Sequence, residues 1–193
     1  MKKVESLKTR YIIIGITAAI FLFAVIFIPV FLFVLSKNHV ILPWDISYEN
    51  IEINDEKNEL EILLYNKEVI INKQDEKIWK SEDGVKVSNI IWDDIDRDGE
   101  KELILLCWKK GRFGKHKPFW IEKDDELWSQ HIFIYEYDEV KNQIRPKWMA
   151  SDIGFVVEEM KYEETGLVLK DKRNDEISIW IWNGWGLERI KNG

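Results

Sequence analysis

Short runs in which aliphatic and aromatic residues alternate recur along the chain beyond residue 58, separated by clusters of Asn, Asp, Gly and Lys. Three share one design: Ile62-Leu63-Leu64-Tyr65-Asn66, Ile132-Phe133-Ile134-Tyr135-Glu136 and Ile179-Trp180-Ile181-Trp182-Asn183. Each sets aliphatics at its first and third positions and mostly aromatics at its second and fourth. Side chains alternate across a strand, so each run carries two apolar faces and is expected to be buried on both, between neighbouring sheets. The first two continue through a polar turn into a second strand that reaches a tryptophan, Trp79 and Trp148. The third turns at Asn183-Gly184, a good hairpin signal, into Trp185-Gly186-Leu187. No long stretch of this part has a 3.6-residue hydrophobic period, and the pattern predicts an all-β domain.

Other apolar runs link these hairpins. Val87 to Trp92 leads into an acidic loop and Glu102 to Trp108 leads out of it. Before the third hairpin, Phe155-Val156-Val157 and Gly166-Leu167-Val168-Leu169 flank a polar segment, Glu158 to Thr165, read as a second loop. Setting Leu167 against Leu103 places Glu158, Met160 and Tyr162 where Asp94, Asp96 and Asp98 stand. The second loop then reads as a copy that has lost its metal ligands.

The N-terminal part is different. Tyr11 to Leu35 is an uncharged apolar run of 25 residues. As a helix it would span roughly 37 Å, enough to cross a hydrocarbon core of ~30 Å with some tilt. Residues 1–10 carry four basic residues against one acidic, a local charge of +3. The organisation expected is therefore a cytoplasmic tail at 1–10, a transmembrane helix at 11–36, a juxtamembrane linker at 37–57 with room for one strand, and an exterior all-β domain at 58–193. A cleaved signal peptide fits less well, because the run is too long and Ser36-Lys37-Asn38-His39 offers no small-residue cleavage site. No cysteine stands directly after it to accept a lipid.

Charge and composition narrow the partners. The net charge of −7 becomes −10 once the +3 tail is set aside, which argues against nucleic acid. Cys107, the single cysteine, lies in an apolar run and reads as a small buried hydrophobe. Most of the ten tryptophans fall in or beside strands and read as core, with Trp120, Trp128 and Trp185 as candidate surface platforms. His39, His116 and His131 show no metal spacing, and no catalytic fingerprint is present.

The acidic loop carries the clearest chemistry. In Asp94-Ile95-Asp96-Arg97-Asp98-Gly99-Glu100-Lys101-Glu102, acidic residues stand at positions 1, 3, 5 and 9 and glycine at position 6. Calcium takes six to eight oxygens, and carboxylates on alternate residues of a curling loop can turn inward to supply them. The expected ligands are the side chains of Asp94, Asp96, Asp98 and Glu102 with the carbonyl of Glu100. The role expected for the ion is structural, since no nucleophile or base stands nearby in sequence.

With its flanking strands this stretch, Ile91 to Leu105, resembles the FG-GAP/VCBS repeat of β-propeller proteins. The resemblance covers roughly residues 58–190, good in one repeat and degenerate in the next. It implies blade-like antiparallel sheets, a calcium-binding acidic loop and an extracellular binding or adhesion role. About 150 exterior residues supply some three blades, fewer than a closed ring needs. A partial propeller, a small four-bladed form and a ring completed by a second chain, such as another copy, all remain open.

A second candidate site follows the strand that ends at Trp108. Lys109, Lys110, Arg112, Phe113, Lys115, His116, Lys117, Phe119 and Trp120 interleave basic and aromatic residues with two glycines and a proline, as in an exposed recognition loop or in a basic loop that balances an acidic domain and is anchored to the core by Phe119 and Trp120. Its chemistry suits an anionic envelope polymer, a sugar surface or lipid headgroups. The expected protein is a single-pass, membrane-anchored, extracytoplasmic binding or interaction module of a bacterial cell surface, with a structural calcium loop. The alternative is a cell-envelope hydrolase, or an accessory subunit of an envelope enzyme.

Overall fold

A computed structural model describes residues 48–112, 119–120, 122–124, 126–150 and 153–192, with Phe23, Val25, Phe27 and Ile28. The chain divides into two units, Met1–Ile41 and Leu42–Gly193. In the first unit the four described residues are helical, and the rings of Phe23 and Phe27 stack 4.1 Å apart. Among the described residues no helix is long and apolar enough to cross a membrane. The span expected at 11–36 lies, those four apart, outside the described residues.

The second unit is all-β: among its described residues, twelve strands form three four-stranded antiparallel sheets, each a meander of consecutive strands. The first sheet holds β1 (Ile51–Asp55), β2 (Leu60–Tyr65), β3 (Glu68–Lys73) and β4 (Glu76–Lys80). The second holds β5 (Lys86–Asp93), β6 (Glu102–Lys110), β7 (Trp128–Asp138) and β8 (Gln143–Met149). The third holds β9 (Val157–Glu163), β10 (Gly166–Asp171), β11 (Ile177–Trp182) and β12 (Leu187–Asn192). The first sheet begins at Ile51, inside the segment read as linker. Asn66-Lys67 and Gln74-Asp75 close its hairpins with φ near +50° and +64° in each pair, the geometry that matches strand twist in a two-residue turn.

The middle sheet is apolar on both faces, and β6 shows why. Leu103, Leu105 and Cys107 enter one core with Leu60, Ile62, Leu64, Val69 and Ile71 of the first sheet. Ile104 and Leu106 enter a second core with Met160, Leu167 and Leu169 of the third. Each fully buried aliphatic contributes about 1.5–3 kcal/mol, so the period-two pattern of β6 ties three sheets together. Gly186 lets the β11–β12 turn close on β8, since a Cβ there would lie 2.5 Å from Trp148 Nε1.

Three expectations change. Burial on both faces holds for β7, whereas β2 keeps one fully covered face and β11 is half-buried apart from buried Ser178 and exposed Ile177. The three alternating runs are not one repeat in phase: Ile62–Tyr65 lies on the second strand of its sheet, the other two on third strands. The run from Tyr65 to Trp79 accordingly crosses two strands, β3 and β4. Alternation records burial and not a strand's place in its sheet. The second loop expected at Glu158 to Thr165 is mostly strand: Glu158 to Glu163 belongs to β9, with Met160 buried and Glu158, Glu159 and Lys161 exposed, and only Glu164-Thr165 turns into β10. Polar residues at alternate positions of an edge strand look, in sequence, like a degraded loop.

Candidate metal centre

The β5–β6 connection, residues 94–101, wraps around its own carboxylates. Asp94 Oδ1 accepts the Asp98 N–H at 3.1 Å and Oδ2 the Gly99 N–H at 2.9 Å. Asp98 Oδ1 accepts the Glu100 N–H at 2.9 Å. The turn passes through positive φ at Arg97 (63°) and Gly99 (95°), a conformation that glycine adopts without cost. Ile95, 3% exposed, is buried in the second core and fixes the start of the loop.

Of the four side chains expected as ligands, the fold brings three together. Asp94, Asp96 and Glu102 each offer a carboxylate oxygen within 4.8 Å of the others. Asp98 stands outside this triad, and the Glu100 carboxylate is engaged by Lys57 of the β1–β2 connection at 2.6 Å. Glu102 is the base of the site: 1% exposed at the first position of β6, it accepts the Ile95 N–H at 3.1 Å. Oxygen-only donors of this kind suit a hard cation such as calcium.

Lys147 is the residue that sequence reading missed. Its ammonium lies 2.5 Å from Asp96 Oδ2, 2.6 Å from Glu102 Oε1 and 3.9 Å from Asp98 Oδ2, and 5.6 Å from the centre of the Trp182 ring. The ladder between β7 and β8 shifts here, pairing Ile134 with Trp148 and Tyr135 with Pro146, so Lys147 is the extra residue of a bulge. A bulge re-aims a side chain, and Pro146 within a strand was its sequence signal. Burial pushes the Glu102 carboxyl up to about 7, against the opposing hydrogen bond and charge of Lys147. Burial also works against the Lys147 ammonium, but its bonds to Asp96 and Glu102 outweigh that and raise its pKa.

The loop also reaches the third sheet. Tyr162 of β9 donates its hydroxyl to the Asp94 carbonyl at 2.8 Å, and Arg97 donates to the Glu164 carbonyl at 2.7 Å. Tyr162, aligned above with a lost ligand, is thus a clamp on the loop itself.

The basic segment lies in the β6–β7 connection, residues 111–127. Lys109 and Lys110 end β6, with Lys110 5.9 Å from the Trp128 ring centre. Arg112 donates its N–H to Asp124 at 2.9 Å, and Gly111 donates to the Leu127 carbonyl at 3.1 Å. Phe119 and Trp120 are exposed and meet edge to face at 4.9 Å. Phe113, Lys115 and Lys117 lie outside the described residues. The four basic residues of 111–127 are matched by four acidic ones, Glu122, Asp124, Asp125 and Glu126, so the loop as a whole is neutral.

The other reactive side chains are packed away. Burial pushes the Cys107 thiol up. His131 is buried between Ser129 Oγ and the Ala150 carbonyl, each 2.9 Å from a ring nitrogen. A carbonyl only accepts, so Nδ1 carries the proton and Nε2 accepts from Ser129. His39 and His116 lie outside the described residues. Trp185 is exposed and Trp128 half-buried. Comparison with family models, curated proteins and solved structures returned no match.

Proposed function

We propose that the chain is a membrane-anchored, extracytoplasmic binding module whose β5–β6 loop takes calcium as a structural ion. The observation that carries this reading is the convergence of Asp94, Asp96 and Glu102, one of them fully buried, at the point where β6 begins. Calcium bound there supplies a divalent charge that ties the loop to β6. Three successive four-stranded meanders stacked about two cores support reading the sheets as blades of the FG-GAP/VCBS kind, in an incomplete propeller. The apolar run at 11–36 supports the anchor, with the sheets outside the membrane. Exposed Phe119 and Trp120, in the connection that follows Lys109 and Lys110 of β6, support the β6–β7 loop as the recognition surface, for an anionic envelope polymer or lipid headgroups.

The test is calorimetric titration of the purified chain with calcium. One site is expected, abolished by Asp96→Ala and unaffected by Glu100→Gln, whose carboxylate binds Lys57 instead. Absence of binding to the wild-type chain would remove the calcium reading.

A further inference from the structure

We propose that Lys147 is a tethered cation of the acidic loop, and that its ammonium and a divalent ion compete for the same carboxylate oxygens. The inference rests on the calcium reading and specifies how that site is regulated. Calcium–oxygen distances run about 2.3–2.6 Å. The Lys147 nitrogen already stands 2.5 Å from Asp96 Oδ2 and 2.6 Å from Glu102 Oε1. An ion that uses those two oxygens must take the ammonium's place.

The placement is built and not a chance surface pairing. Lys147 comes from β8, 45 residues along the chain from Glu102, and its side chain is only 13% exposed. The bulge between Ile134 and Tyr135 turns it out of the ladder, and the Trp182 ring flanks its nitrogen. A free surface lysine would gain little from such a pair; here Glu102 is 1% exposed and would otherwise be a buried anion beside Asp96. Two consequences follow. Without calcium the loop keeps its shape, because Lys147 supplies the positive charge. With calcium, binding is weakened by the work of expelling Lys147, so the residue sets the concentration at which the loop exchanges one cation for the other.

The experiment uses the full chain in detergent, as wild type and as Lys147→Met, with two readouts. In calcium titration, Lys147→Met is expected to bind at least about tenfold tighter than wild type, within the usual range of a coupling between two ligands of one site. In lysine acetylation followed by mass spectrometry, wild-type Lys147 is expected to react at least about fivefold faster with saturating calcium than with chelator. Lys161, an exposed lysine on β9, serves as the control whose rate stays constant. The labelling arm decides the question even where Lys147→Met does not fold in chelator. Calcium binding by the wild type with no change in Lys147 reactivity overturns the competition and leaves the calcium site standing. No calcium binding by either protein overturns both.

Discussion

The second and third sheets each join their first strand to their second, and they do so in opposite ways. Between β5 and β6 the chain uses eight residues, 94–101, while between β9 and β10 it uses two, Glu164 and Thr165. The short turn closes its own hairpin and offers the second sheet only the Glu164 carbonyl. The long one sends Ile95 into the core between the sheets, takes a hydrogen bond from Tyr162 and gives one to the Glu164 carbonyl. The difference teaches that the acidic loop joins two sheets as well as two strands, and that its carboxylates sit where the joint is made. A cation inside the loop, whether the ammonium of Lys147 or calcium, then bears on the attachment of the third sheet to the second.

The largest effect expected falls on the buried end of the joint. Glu102→Ala takes from Lys147 its buried partner, leaving Asp96 and the more distant Asp98, and should cost about 3–5 kcal/mol in urea unfolding, the range for breaking a buried ion pair. Ile95→Ala should cost about 2–5 kcal/mol through the cavity it leaves. Glu164→Ala in the short turn should stay within about 0.5 kcal/mol, since its carbonyl, not its side chain, meets Arg97. Equal costs for these last two would erase the contrast between the connections.

A smaller effect tests the third sheet's own carboxylate. Burial tends to raise the pKa of Asp171, but hydrogen bonds from the Arg173 backbone and guanidinium outweigh it and hold the group below its ordinary range. Its folded pKa lies below its unfolded one, so its contribution is present above the unfolded value and is lost as pH falls through the folded value. Asp171→Asn should therefore cost about 1.5 kcal/mol at pH 7, and the gap to wild type should close below about pH 4 in unfolding curves taken across pH. Tyr162→Phe, which removes one hydrogen bond across the joint, should cost about 1 kcal/mol and leave the first sheet's exchange protection unchanged.

Much of this arrangement was legible because it is local. Asp94, Asp96, Gly99 and Glu102 are close in sequence, so their spacing gives the curl of the loop directly. The unbroken apolar run of β6 and the aliphatic and aromatic alternation of β7 give a sheet covered on both faces. What was not legible depends on register. Lys147 reaches the loop only because β8 bulges by one residue against β7, and nothing near Asp94 announces it. Tyr162 and the glutamates of β9 were misplaced because an edge strand carries charges at the same spacing as a worn metal loop. The repeat was misphased because Ile62–Tyr65 and Ile179–Trp182 share an apolar pattern without sharing a place in their sheets.

The most direct test is native-state hydrogen exchange on the wild type and on Asp96→Ala, which removes a partner of either cation. If the loop fastens the third sheet through a bound cation, amides of β9 and β10 should exchange at least about tenfold faster in the variant, with β2 and β3 unchanged. Unaltered protection of β9 and β10 would contradict that claim.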